Sequence, residues 1–184
     1  MTLDGHIKTG LAYGTVGLTF FITGEVGVST QTAILLFVAF VIGNVGPDLS
    51  EMGIIPHRTY THFPWFYILI VIATSLGLEF TGYQQYEVGA FGTLGLTFGL
   101  GYALGCLFHI ICDIPYGGIP YFKPWKKIAL FFVKFDSVTN KIIEHAAIII
   151  ALLIILSSVL DVNDLVDVES TLDVNSFNLS SDRG

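Results

Sequence analysis

The chain has 184 residues, of which 53% are hydrophobic and only 12% are charged. Average soluble domains carry roughly 25% charged residues. The mean hydropathy of +0.72 is also more than an ordinary soluble core explains, so the composition favours a membrane protein. The formal net charge of −7 argues against nucleic-acid binding, which needs a basic footprint, and two cysteines are too few for a disulfide scaffold.

Five apolar segments are predicted in chain order, at residues 9–24, 31–46, 64–79, 90–112 and 142–160. A membrane-spanning helix needs about 20 residues, with a range of roughly 17–25. The first two segments are short by that measure, so we expect thin or tilted spans, or half-buried helices of a compact bundle. The predicted fold is all-α, a multi-pass membrane bundle of about five apolar helices.

The basic residues sort the connections between these segments into two sets. Seven of the eight lie in residues 1–8, 47–63 and 113–141, and Arg183 lies near the C-terminus. Under the positive-inside rule the first set is cytoplasmic, so five spans put the N-terminus inside and the C-terminal tail outside. All five histidines fall on the cytoplasmic side as well, and this independent agreement supports the five-span count.

The chain is predicted to contain one domain and a tail. Residues 1–160 form the membrane-embedded helical domain, whereas residues 161–184 are acidic, rich in Ser and Asn, and typical of disordered segments. Many glycines lie inside the apolar segments. The G-x-x-x-G spacing of Gly101 and Gly105 favours close helix packing within the bundle over dimerisation.

The fourth segment ends in the motif CLFHIICD, which contains His109 and Asp113. Their i, i+4 spacing puts both side chains on one helix face, one turn apart, where they could offer one metal ion two ligands. A hydrogen-bonded structural pair would explain the same spacing, but ionisable groups in membrane segments are costly and usually functional. Cys106, on the same face, is expected to be a packing residue.

A second polar cluster, HRTYTH at residues 57–62, lies between two apolar segments. Two histidines and an arginine within six residues are hard to explain as solubility alone. His57 and His62 are therefore candidate site residues. Arg58 could pair with a phosphate or carboxylate through its fork of donors, or act as a positive-inside anchor.

Other polar residues lie at the predicted cytoplasmic ends of the segments. Asp48 could be a ligand, a helix cap or a solvated residue, and neighbouring Glu51 is expected to be solvated. His6 becomes a candidate ligand through its position on the shared side. Glu144 opens the last segment and could be a ligand or the general base that activates a metal-bound water. Because histidine and carboxylate suit zinc and similar divalent ions, the set predicts one metal site at the cytoplasmic end.

The elements GH near the start, PD after the second segment, HRTYTH, and GYALGCLFHIICDIPYGGIPYFKPW together resemble the YdjM-like family over about residues 5–145. These are LexA-regulated, inner-membrane-bound proteins described as metal-dependent hydrolases. The family is similar to the all-helical, zinc-dependent phospholipase C and single-strand nuclease superfamily. The resemblance implies metal roles for His6, Asp48, His62, His109 and Asp113, and site roles for His57, Arg58 and Glu144.

Two elements depart from the family pattern. The family usually reads PD-x-D-H, and this chain has Ser50 and Glu51 at the last two positions. The family also usually reads HRG-x-THS, and here Thr59 replaces the glycine and Phe63 the serine. The number of metal ions and the activity that the resemblance implies therefore depend on whether these replacements preserve the site.

The leading hypothesis is an inner-membrane hydrolase whose divalent metal, zinc above all, lowers the pKa of a bound water to about 7. Its expected substrate is a phosphoester, and the membrane setting favours a phospholipid, with Lys123, Lys126 and Lys127 helping to attract the anionic group. One alternative is a non-catalytic membrane protein with a degenerate or structural metal site. A metal-ion or proton transporter is disfavoured, because transport sites usually lie near the bilayer midplane and these polar residues lie at segment ends.

Overall fold

The computed structural model describes residues 2–23, 29–51, 58–83, 90–116, 119–123, 126–128, 138 and 141–157. Its helices are α1 (Leu3–Thr23), α2 (Thr30–Gly43), α3 (Gly46–Glu51), α4 (Pro64–Tyr83) and α5 (Ala90–Asp113), followed by α6 at residues 141–157. Single 3-10 turns lie at Tyr60–His62 and Ile114–Tyr116, and β1 (Ile119–Lys123) pairs with β2 (Lys126–Ile128) in an antiparallel hairpin. The described chain is therefore mostly helical, as predicted, with one small hairpin that was not predicted.

The predicted apolar segments coincide with α1, α2, α4, α5 and α6. Helix α1 begins at Leu3, well before the predicted start at residue 9, so His6 lies within the helix. Within the described ranges, one helix, Gly92–Asp113, is long and apolar enough by length and composition to cross a membrane. The apolar helices at Thr30–Gly43 and Pro64–Phe80 are shorter, so the count of five spans is not confirmed. The predicted tail at residues 161–184 lies outside the described residues.

Local sequence signals explain where two of the helices begin. The Ser29 hydroxyl accepts a hydrogen bond from the Thr32 backbone N–H at 3.2 Å, which satisfies one of the free donors at the start of α2. Helix α4 begins at Pro64, a residue favoured at the first helical position because its missing N–H would have no partner there.

Helix α5 lies at the centre of the bundle, packed against α2 on one side and α4 on the other, while α1 packs mainly on α2. Glycines permit the close approach of α2 and α5. A methyl group added at Gly105 would collide with the Phe40 carbonyl, and one at Gly43 would collide with the Tyr102 carbonyl. Gly101 similarly lies against Ala39, so the G-x-x-x-G pair packs within the bundle.

Gly105→Ala is expected to destabilise the protein by about 1–3 kcal/mol, because the added methyl group pushes α2 and α5 apart. The shift in the thermal unfolding midpoint in detergent measures this effect. Gly95→Ala is the matched control in the same helix, since nothing lies within 4 Å of its added methyl group. Equal midpoints for the two variants would contradict the contact between α2 and α5.

The hairpin is anchored at the end of the bundle where α5 finishes and α4 begins. Ile119 of β1 is 2% exposed and belongs to a buried cluster with Tyr67 and Cys106. The Trp65 indole N–H donates a hydrogen bond to the Tyr121 carbonyl at 2.7 Å. Cys106 is thus a buried packing residue, as expected, and the hairpin lies beside the polar end of the bundle.

Candidate metal centre

Five polar side chains meet at one end of the bundle, contributed by α1, α3, the turn at Tyr60–His62 and α5. They are His6, Asp48, His62, His109 and Asp113. The three histidines are fully buried and Asp113 is 1% exposed, whereas the Asp48 side chain is 20% exposed. The structure therefore brings together all five residues that the sequence singled out as metal ligands. Their ligand atoms form two groups that share His109, and within each group all atoms lie within 4.8 Å of one another.

Five of the six distances among four of the ligand atoms are near those of a tetrahedral metal site. The Nε2 atoms of His62 and His109 lie 3.1 Å apart. Asp48 Oδ1 lies 3.7 Å and 3.5 Å from these two atoms, in that order. Asp113 Oδ2 lies 3.6 Å and 3.9 Å from them. Tetrahedral zinc with bonds of about 2.0–2.2 Å places its ligand atoms about 3.3–3.6 Å apart, so these distances are close to those of a zinc cage.

The remaining ring nitrogens show where the two imidazoles carry their protons. His109 Nδ1 lies 2.8 Å from the Asn44 carbonyl oxygen, which can only accept, so Nδ1 donates. His62 Nδ1 lies 3.0 Å from the Glu51 carboxylate and donates in the same way. With the proton of a neutral ring on Nδ1, each Nε2 would turn a lone pair toward the other ring, and this contact repels unless a proton or a metal cation lies between them. Metal-ligating histidines almost always donate their other ring N–H to a carboxylate or carbonyl in this manner.

Asp48 contributes to these four ligand atoms a carboxylate oxygen that accepts no hydrogen bond. Its Oδ1 is buried and has no hydrogen-bond partner within the described ranges. A buried carboxylate oxygen without a donor is unfavourable unless a cation lies beside it, so the donor set fits a divalent metal ion.

Asp113 connects the candidate ligands to a neighbouring arginine. Its Oδ1 lies 3.3 Å from His6 Nε2, and its Oδ2 forms an ion pair with Arg58 Nη2 at 3.0 Å. The His6 ring stacks on that of His109, with centroids 3.7 Å apart. Arg58 is 13% exposed and adopts the left-handed backbone conformation with φ of 56°. Arg58 therefore lies at the edge of the cluster, and Asp113 neutralises part of its charge.

The other candidate site residues are not brought into the ligand groups. His57 lies outside the described residues. Glu144 is buried in α6 and close enough to Lys8 to affect it electrostatically, but it belongs to neither group of ligand atoms. Its role as a general base stays a prediction. The three lysines expected to attract an anion are exposed on the hairpin strands; they are Lys123, Lys126 and Lys127.

Sequence reasoning missed two residues that hold the cluster together. The expectation that Glu51 is solvated is wrong, because its side chain is 5% exposed and bonded to His62. Asn44 is fully buried; its carbonyl accepts from His109, and its side-chain amide donates to the His6 carbonyl. The i, i+3 spacing of Asp48 and Glu51 on one helical turn was the available signal for Glu51. No comparable spacing pointed to Asn44.

Two of the four residues that depart from the family pattern, Ser50 and Thr59, occupy different surroundings. Ser50 is exposed and donates a hydrogen bond to the Gly46 carbonyl of its own helix at 2.7 Å, so it lies apart from the ligand atoms. Thr59 follows Arg58 and directly precedes the turn that carries His62. The effect of either residue on activity stays a prediction.

No curated protein and no solved structure shows significant similarity to the chain. A family model described as YdjM inner membrane protein matches residues 1–164, a range that contains every residue of the cluster. This match confirms the resemblance carried by the PD, HRTYTH and HIICD elements. The chain therefore belongs to the YdjM family of inner membrane proteins.

Proposed function

We propose that this protein is a metal-dependent hydrolase of the inner membrane. Asp48, His62, His109 and Asp113 hold one divalent ion, zinc above all, with His6 as a further nearby donor. The observation that carries the proposal is the pair of Nε2 atoms 3.1 Å apart, each on a ring whose Nδ1 already donates elsewhere. Mixed imidazole and carboxylate donors suit zinc better than softer metals.

The bound ion would supply Lewis acidity, which polarises a phosphoryl oxygen and makes a water molecule more acidic near neutral pH. The chain's own residues orient the site. Asn44 and Glu51 hold the imidazoles of His109 and His62 with Nε2 toward the ion. Arg58 brings a positive charge to the edge of the cluster, and its buried Nε has no hydrogen-bond partner among the described residues. That donor suits the anionic oxygen of a phosphoester.

We further propose that the substrate is a phosphoester, with a phospholipid favoured because the site lies at the end of an apolar bundle. The exposed lysines of the hairpin would attract its anionic group. Glu144, buried in α6, is the proposed general base. The proposed substrate class follows by analogy with the zinc-dependent phospholipase superfamily.

In the proposed membrane arrangement, α1, α2, α4, α5 and α6 all lie within the bilayer. The cluster then faces the cytoplasm, with the N-terminus inside and the tail outside. The distribution of lysine and arginine supports this orientation, because seven of the eight lie in residues 1–8, 47–63 and 113–141, the segments predicted to be cytoplasmic. The shorter apolar helices, Thr30–Gly43 and Pro64–Phe80, would be accommodated by local thinning of the bilayer.

Zinc-loaded protein is expected to hydrolyse at least one member of a panel of phosphodiesters and short-chain phospholipids. Turnover should stop when a chelator removes the metal and return when zinc is restored, because the metal supplies the electrophile. Phosphate or headgroup release measures the rate, and His109→Ala protein serves as the inactive control. Turnover that survives in His109→Ala would contradict catalysis at this cluster.

One observation favours a second candidate function, a structural metal site in a non-catalytic membrane protein. Structural zinc sites are closed by four protein ligands, whereas catalytic sites keep one position open for water or substrate. Here four buried or half-buried ligand atoms lie close together, with five of their six separations between 3.1 Å and 3.9 Å. Zinc that raises the unfolding temperature without turnover of any substrate in the panel would favour this candidate.

A further inference from the structure

Glu51, the last residue of α3, is 5% exposed and belongs to neither group of candidate metal ligands. Its Oε1 accepts hydrogen bonds from His62 Nδ1 at 3.0 Å and from the Arg58 backbone N–H at 2.9 Å. The Thr61 hydroxyl donates to the same oxygen. One carboxylate oxygen therefore holds both ends of the segment from residue 58 to residue 62.

The bond to His62 selects one tautomer of its ring. A neutral imidazole carries one proton, and the Glu51 carboxylate favours that proton on Nδ1 because it can only accept. Nε2 is then left with its lone pair toward His109 Nε2, 3.1 Å away. With the proton on Nε2 instead, the same ring could not bind a metal through that atom.

The bond to the Arg58 backbone holds an unusual conformation in place. Arg58 has φ of 56°, which residues other than glycine rarely adopt unless their surroundings fix it. From this position the guanidinium reaches Asp113 Oδ2 at 3.0 Å. Glu51 thus acts directly on the ligand His62 and, through the Arg58 turn, on the ligand Asp113.

We infer that Glu51 is a positioning residue of the metal centre, whose carboxylate fixes the His62 tautomer and the Arg58 turn without itself binding the ion. This inference builds on the metal site described under the proposed function. Two carboxylates of one helical turn would then have different roles, with Asp48 a ligand and Glu51 the support of another ligand.

Zinc affinity of the full-length protein in detergent, measured by competition with a chromophoric chelator, tests the inference. Glu51→Ala is expected to bind zinc about 10–100-fold more weakly than wild type, as is typical when the partner of a metal-ligating histidine is removed. Glu51→Gln should lose less, because its amide oxygen can still accept from His62. Glu79→Gln is the matched control, since Glu79 is exposed on α4. Zinc binding by Glu51→Ala as tight as by wild type would overturn the inference.

A second measurement on metal-free protein separates this inference from the proposed function. With 15N-labelled histidine, the His62 signals, assigned by their loss in His62→Gln, should show the proton on Nδ1 in wild type. In Glu51→Ala, the proton should move toward Nε2. If wild type binds no zinc, the proposed function fails, while the shift in tautomer still decides the role of Glu51. An unchanged tautomer in folded Glu51→Ala would overturn it; if that variant does not fold, the same comparison is made with Glu51→Leu, whose side chain fills similar space but cannot accept a hydrogen bond.

Discussion

His109→Ala is expected to weaken zinc binding by more than about 100-fold, because loss of a ligand exceeds the loss of about 10–100-fold caused by removing a ligand's hydrogen-bond partner. His109 is the residue that both groups of ligand atoms share. Its Nε2 lies between 3.1 Å and 3.9 Å from donor atoms of His62, Asp48 and Asp113. A titration of purified protein against a competing chelator measures the effect.

The matched control for this variant is His145→Ala. His145 is exposed on α6, where its Nδ1 lies 2.5 Å from the Lys141 carbonyl, one turn earlier in the same helix. The control is expected to bind zinc as wild type does, although histidine content falls by one in both variants. Equal affinity of His109→Ala and His145→Ala would show that zinc binds elsewhere.

Asp113→Asn is expected to weaken zinc binding and also to destabilise the metal-free protein by about 3 kcal/mol, because removal of one partner leaves a largely buried charge without compensation. Asp113 contacts His6 Nε2 at 3.3 Å and Arg58 Nη2 at 3.0 Å, so two groups lose their partner. Thermal unfolding of chelator-treated protein in detergent isolates this effect from metal binding.

Asp4→Asn provides the comparison, since Asp4 pairs with Lys8 on the surface of α1, where both side chains are at least half exposed. Its unfolding midpoint should barely change, as is usual for surface ion pairs. The variants Arg58→Met and Arg58→Met with Asp113→Asn complete a double-mutant cycle. Additive effects of the two substitutions on the metal-free protein would contradict the ion pair between Arg58 and Asp113.

The helices were predictable because, in a chain of this composition, a long apolar run has few alternatives to helical structure. All five predicted segments coincide with helices, but their ends were less predictable. Helix α1 extends back to Leu3, where the surface pair of Asp4 and Lys8 is compatible with helix although hydropathy is low. The hairpin that includes Ile119 was missed because its strands have five and three residues, too short for a clear alternating pattern.

The candidate ligands were predictable for a different reason. The helical spacing of His109 and Asp113 indicates a pair of ligands on one helix face. His6, Asp48 and His62 are indicated by their place on the predicted cytoplasmic side, together with the basic residues. Each candidate ligand lies on a helix or turn that reaches the same end of the bundle, so the topology brings their side chains together.

The supporting residues could not be found in this way. Asn44 accepts from His109 through its backbone carbonyl, which every residue has, so this contact depends on where α2 ends relative to α5. Glu51 meets His62 only because the chain between α3 and the turn at Tyr60–His62 returns to the same place. Contacts of this kind arise from tertiary structure, and no local pattern specifies them.

The most direct test of a metal centre at this cluster is the metal content per chain of detergent-purified wild-type protein. Elemental mass spectrometry after equilibration with micromolar zinc, followed by removal of free metal, is expected to find one zinc ion per chain. One ion is expected because both groups of ligand atoms share His109, whose Nε2 lies between 3.1 Å and 3.9 Å from donor atoms of His62, Asp48 and Asp113. Protein that retains no zinc, manganese or other divalent metal after this treatment would contradict the proposed metal centre.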